Sequence, residues 1–201
     1  MNIVCCDLEG VFVPEIWINV AEKTGIKELR LTTRDISDYD VLMKKRLDIM
    51  DQNGLKLKDI QQVISQMSPL PGAKQFLDKL RQKTQVIIVS DTFDQFAGPL
   101  MEKLNRPTLF CNTLVVNDDD RIVDYTLRQN DGKKHVVEAL RSLNFKTYAM
   151  GDSYNDISML KIADAGFLFR PPENVINEFP EFPVCIEYSE IEEKLYPLLK
   201  D

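Results

Sequence analysis

Histidine is almost missing from this chain, which has one, His135, in 201 residues. That rules out a histidine-rich metal centre. The four cysteines, Cys5, Cys6, Cys111 and Cys185, lack metal-ligand spacing. Cys5 and Cys6, being adjacent, would face opposite sides of a strand, so the cysteines are expected to be reduced core residues. No apolar run approaches the roughly 18–20 residues of a membrane span. The N-terminal run is broken at Asp7, so no secretory signal is expected and the reading is cytoplasmic. Basic charge is also short, 25 Lys and Arg against 32 Asp and Glu, for a net charge of −7. A general nucleic-acid binder needs the opposite balance to displace counterions from phosphates, and the short run Lys44-Lys45-Arg46 does not supply it. The Gly-x-Ser-x-Gly elbow of a serine hydrolase is missing too, since Gly151-Asp152-Ser153-Tyr154-Asn155 does not fit it. Internal repeats and low-complexity segments are absent.

The remaining composition is globular, with 44% hydrophobic and 28% charged residues. Short apolar runs recur at Ile3 to Cys6, Val86 to Val89, Thr147 to Met150 and Ala165 to Phe169. Helical spacing lies between the later ones, over Gly72 to Lys83, Phe93 to Leu104 and His135 to Leu143. This alternation predicts an α/β fold, a doubly wound, mainly parallel, Rossmann-like sheet. Leu114 to Val116 and Arg121 to Leu127 read as a small antiparallel hairpin, a local embellishment. Between Pro14 and Pro71 the pattern becomes consecutive helices, Glu15 to Lys23, Asp38 to Asp51 and Leu57 to Met67, with no strong strand. The expected division is a core of residues 1–13 with 72–201, and a helical cap over 14–71 inserted after strand one. Glu190 to Leu199 reads as a closing helix.

The opening segment, Asn2-Ile3-Val4-Cys5-Cys6-Asp7-Leu8-Glu9-Gly10, is an apolar strand that stops at two carboxylates one residue apart. On an extended strand Asp7 and Glu9 would point the same way, at the strand end where such sheets bind ligands. The plainer reading is a turn after a buried strand. In the cap, Arg46 falls inside an apolar stripe of Tyr39, Leu42, Met43, Ile49 and Met50. A guanidinium there either meets an anion or snorkels outward. Further polar clusters follow separate elements: Ser90-Asp91-Thr92, Lys133-Lys134 and Gly151 to Asp156. Each alone reads as a cap, a solvated charge or a turn. Together, carboxylates, a hydroxyl and an ammonium at one sheet edge supply what phosphoryl transfer requires.

In order and spacing these residues resemble the haloacid dehalogenase superfamily, in its phosphoserine phosphatase branch. Asp7-Leu8-Glu9-Gly10 is similar to the first motif, Val89-Ser90 to the second, Lys133 to the family's lysine, and Gly151 to Asp156 to the last. The resemblance implies that Asp7 is a nucleophile forming an aspartyl phosphate and that Glu9 serves as acid and base. It implies a Mg²⁺ site from Asp7, the Glu9 carbonyl and Asp152, supported by Asp156. Ser90 and Lys133 would hold the phosphate, Glu15 and Arg46 the ammonium and carboxylate of O-phosphoserine, and Asp91 and Asn155 would also contact substrate. The branch usually has aspartate where this chain has Glu9, a hydroxyl residue at Val11 and glycine at Asp91. Those departures resemble a subgroup that passes the phosphoryl group to homoserine or to water. Alternatives are a different small phosphomonoester, a phospho-accepting signalling receiver, which would lack the insert, and an inactive binding relative.

Overall fold

The computed structural model describes residues 1–32, 35–36 and 38–200. Its sheet has seven strands in the order β4-β3-β2-β1-β5-β6-β7. These are β1 (Asn2–Cys6), β2 (Gln85–Phe93), β3 (Thr108–Val116), β4 (Ile122–Thr126), β5 (Lys146–Gly151), β6 (Ala165–Phe169) and β7 (Val184–Cys185). Every pairing is parallel except β3 with β4. Strand β1 is central because its residues are apolar on both faces and so suit only a strand covered twice. Cys6 turns into one core layer and Cys5 into the other.

Helices α4 (Ala73–Arg81), α5 (Asp94–Lys103) and α9 (Tyr188–Leu195) cover the Cys6 face. Helices α6 (Gly132–Ser142), α7 (Ile157–Ile162) and α8 (Glu173–Glu178) cover the Cys5 face. In α4 the stripe Ala73, Phe76, Leu77 and Leu80 is buried, as 3.6-residue periodicity requires. From β1 the chain leads to β2 on one side, while β5 pairs on the other. The crevice at the carboxyl end of β1 is therefore a topological switch point.

Between β1 and α4 lie α1 (Ile16–Thr24), α2 (Tyr39–Gln52) and α3 (Leu57–Gln66), with a 3-10 turn at Lys27–Arg30. Asp38 caps α2 by accepting the Val41 N–H at 3.1 Å. The loop joining β1 to α1 is held from below by aromatic packing. Phe12, Phe76, Tyr188 and Phe169 stack in series, and the Tyr188 hydroxyl donates to the Val11 carbonyl at 2.6 Å.

Two expectations change. The hairpin is no embellishment, because the first half of β3 pairs in parallel with β2, so β3 and β4 form one edge of the main sheet. Cys111 is half-buried rather than in the core, since it lies on that edge, whereas Cys5, Cys6 and Cys185 are buried.

Candidate active site

Three neighbouring strands deliver the polar groups. Asp7 follows β1 directly, and its N–H donates to the Met150 carbonyl of β5 at 2.9 Å, continuing the ladder by one residue. Ser90 and Asp91 lie near the end of β2, and Asp152 follows β5. Lys133 enters from the first turn of α6. Its Nζ lies 2.7 Å from Asp156 Oδ1, 3.0 Å from Asp7 Oδ1 and 3.8 Å from Asp91 Oδ2. Asp7 Oδ1 also accepts the Leu8 N–H at 2.8 Å, so the carboxylate is clamped from two directions. Asp156 Oδ2 accepts the N–H groups of Asp152 and Ser153 at 2.9 and 3.1 Å, which fixes the turn carrying Asp152.

Charge in this cluster is unbalanced. Asp7, Asp152, Asp156 and Lys133 are all buried, three carboxylates against one ammonium. Burial, followed by the Asp156 charge, drives the Asp7 carboxyl well above its usual range, and Lys133 offsets this only in part. Burial lowers the Lys133 pKa, but Asp156 and Asp7 outweigh it and hold the ammonium firmly protonated. Asp7, Asp152 and Asp156 each offer a carboxylate oxygen within 4.8 Å of the others. Hard oxygen donors with surplus negative charge fit Mg²⁺.

The remaining lining comes from the loop after β1 and from the helical insert. Glu9 Oε2 accepts the Ile16 N–H at the start of α1 at 2.8 Å. Burial, and then the nearby Glu15 carboxylate, push the Glu9 carboxyl up to about 8, against the opposing effects of the Ile16 N–H and Arg46. Arg46 does not snorkel. It is buried, donates through Nη2 to the Leu31 carbonyl at 2.8 Å, and stacks on the Trp17 ring at 4.5 Å. Tyr39 of α2 donates to the Asp91 carbonyl at 3.1 Å, and Asn155 Nδ2 donates to Asp91 Oδ2 at 2.8 Å.

Asp7, Glu9, Glu15, Arg46, Ser90, Asp91, Lys133, Asp152 and Asn155 line one cavity of about 90 Å³, whereas Asp156, expected to support the site, is not part of that lining and is buried against Lys133. The cavity volume is far below the ~300–1,000 Å³ of drug-sized sites, so the cavity suits a small metabolite. Trp17, Thr32, Tyr39, Thr92 and Ser153 also line it. Trp17 and Tyr39 escaped the sequence reading because an aromatic on an apolar helical stripe looks like core. Thr92 and Ser153 were inside the polar clusters and could have been taken from them.

Residues 22–161 match the model of the haloacid dehalogenase-like hydrolases. The chain belongs to that family. This haloacid dehalogenase-like hydrolase is 58% identical to the phosphoserine phosphatase ThrH of Pseudomonas aeruginosa, over 95% of its own length and 93% of that protein. It is 57% identical to a phosphoserine phosphatase of Pseudomonas syringae pv. tomato, over 96% of this chain and 82% of the relative. Among solved structures, an apo phosphoserine phosphatase superposes with a TM-score of 0.77 at 23% identity, covering 97% of this hydrolase and 98% of that chain. At that identity the structural likeness establishes the shared fold.

Proposed function

We propose that this enzyme transfers the phosphoryl group of O-phosphoserine through a phosphorylated Asp7, with Mg²⁺ as cofactor. The observation that carries the reading is one small cavity lined both by the Asp7–Lys133 cluster and by Glu15 and Arg46. A phosphate fits the first group and an amino-acid head group the second, as the names of the close relatives support. Asp7, the Glu9 carbonyl and Asp152 would hold Mg²⁺, with Asp156 behind them; when bound, the ion neutralises charge on the phosphoryl oxygens.

The step needs Asp7 ionised, the form that the Lys133 ammonium favours and that a bound cation would favour further; one of its carboxylate oxygens then attacks phosphorus while Lys133 and Ser90 hold the phosphoryl oxygens. The bond from phosphorus to the serine oxygen breaks, and the Glu9 carboxyl passes its proton to that oxygen. A carboxyl with a pKa near 8 is protonated at neutral pH, as this step needs. Glu9, now a carboxylate, takes a proton from water as the water oxygen attacks phosphorus. The bond from phosphorus to Asp7 breaks, giving inorganic phosphate and free Asp7. Glu15 receives the substrate ammonium and Arg46 its carboxylate, while Asp91 and Asn155 close the side of the pocket beside Lys133.

Homoserine is the second acceptor in this proposal. Asp91 and Thr92, which depart from the plain phosphatase pattern, line the same cavity as Glu9. A bound alcohol there needs only orientation and effective concentration to outcompete water. We assign residues 14–71 as the cap, residues 1–13 with 72–201 as the core, and the cytoplasm as the location. Among the described residues no helix is long and apolar enough to cross a membrane.

The test is phosphate release from O-phosphoserine with Mg²⁺, with and without homoserine, for the wild-type enzyme and Asp7→Asn. Wild-type turnover with phosphohomoserine formed at the expense of phosphate, and none in Asp7→Asn, is the expected result. Steady turnover by Asp7→Asn would remove the covalent route. Phosphate as the sole product at saturating homoserine would leave a phosphatase only.

A further inference from the structure

We infer that Trp17 is a positioning residue, holding the Arg46 guanidinium in the plane in which it receives the substrate carboxylate. The inference deepens the amino-acid reading above and rests on it. Trp17 is the sole tryptophan of the chain and the second residue of α1, two positions after Glu15. Its ring lies 4.5 Å beneath Arg46 Cζ and packs edge-on against Phe96 of α5 at 5.7 Å. The indole is thus wedged between the insert helix that carries Arg46 and a helix packed on the sheet, and it also lines the cavity.

Arg46 is an unusual buried cation. Only 6% of it is exposed, and among the described residues no carboxylate forms an ion pair with it. Its in-plane partners are the neutral Leu31 carbonyl and the Met43 sulfur, at 2.8 and 3.5 Å. Its Nε has no hydrogen-bond partner among the described residues. Burial draws its pKa down to about 10, partly countered by Tyr39, Glu9 and Glu15. A buried charge with an unused donor is poorly compensated unless something arrives to pair with it.

The π face of Trp17 supplies part of that compensation before any ligand binds, because a ring quadrupole attracts a guanidinium most strongly where water is excluded. It also removes freedom. A long arginine side chain has many rotamers, but a flat ring under one face holds the plane and leaves only the N–H edge to a ligand. That edge matches a planar carboxylate. A tryptophan that merely filled the core would have no need to present its face to a charge.

The experiment compares O-phosphoserine with an aryl phosphate, which has no carboxylate, across Trp17→Leu, Trp17→Phe and Arg46→Met. In Trp17→Leu, kcat/KM for phosphoserine should fall about tenfold more than for the aryl phosphate, chiefly through KM. Trp17→Phe keeps an aromatic face and should recover most of the difference. Equal losses on both substrates in Trp17→Leu, while Arg46→Met still discriminates, would overturn the inference alone. No discrimination in Arg46→Met would overturn the amino-acid reading and the inference with it. If Trp17→Leu does not fold, the wild-type fluorophore decides. Its emission should move on titration with serine, at concentrations that inhibit turnover, and should not move in Arg46→Met. Unchanged wild-type emission at those concentrations would overturn the inference.

Discussion

At the scale of single residues, Glu9 and Gly10 bear most directly on the chemistry. The Glu9 carboxyl sits near 8 in the folded protein against an ordinary 4.5, because burial disfavours its charge. A folded-state pKa raised in this way contributes stability that is whole below about pH 4.5 and lost as pH rises through about 8. We expect the metal-free protein to lose stability across that window and Glu9→Gln to lessen the slope; urea midpoints at a series of pH values check it. The same residue should make phosphoserine kcat/KM fall above about pH 8, where the acid is spent. Glu9→Gln should cost about 10²–10⁴-fold on that alkyl ester. Gly10 has a left-handed backbone, φ +74°, and a Cβ there would lie 2.5 Å from Asp152 Cγ. Gly10→Ala should therefore displace Asp152 and reduce turnover about 10²-fold. Gly25 has φ +76° but nothing within 4 Å of its would-be Cβ. Gly25→Ala should then cost about 1 kcal/mol of stability with turnover intact, and a matched effect of the two substitutions on turnover would refute the distinction.

At the scale of elements, the β3–β4 edge does more than finish the sheet. Tyr125 of β4 donates to Asp40 at the start of α2 at 2.7 Å, and Arg121 pairs with Asp51 near its end at 2.8 Å. Asp120 accepts the N–H groups of Leu57 and Lys58 through its carbonyl and its carboxylate, at 3.0 and 3.1 Å. It thus caps α3 from another part of the chain. The exposed ion pair contributes little; the cap contributes more. Asp120 also has a positive φ of 65°, which asparagine tolerates and alanine does not. Asp120→Ala is expected to cost about 1–2 kcal/mol and to speed amide exchange at Lys58, with Asp120→Asn close to wild type. Equal exchange in both variants would dismiss the cap. This role was not legible in the sequence, where Asn117 to Asp120 looked like an ordinary turn. Strands β1, β5 and β6 were legible because each is a continuous apolar run. The first half of β3 was not, since exposed Thr108 and buried Asn112 break its pattern. Strand β7 is two residues long, below any periodicity.

At the scale of the whole molecule, the candidate site was readable because its carboxylates, hydroxyl and lysine stand at the ends or starts of elements that a parallel sheet brings to one edge. What the sequence left out is what arises only between distant elements: the burial of Lys133 among three aspartates, the Asn155–Asp91 hydrogen bond, and the indole under Arg46. The first of these has a global consequence. A chain with net charge −7 gathers Asp7, Asp152 and Asp156, all buried, at one edge of its sheet with one ammonium to balance them. Their mutual repulsion is a folding penalty that a divalent cation relieves. An ion that binds only the folded state adds RT ln(1 + [L]/Kd), about 2.7 kcal/mol at a hundred times Kd. In a domain of this size that corresponds to a rise of roughly 5–10 °C in Tm. We expect Mg²⁺ to raise the melting temperature of the wild-type protein relative to EDTA by that order, and Asp152→Asn to lose most of the rise. Asp152→Asn should also melt higher than wild type in EDTA, because one of the opposed charges is gone. Identical melts of the wild-type protein in Mg²⁺ and in EDTA would mean that the cluster is balanced by protons and Lys133 alone, and would remove the metal from the proposed chemistry.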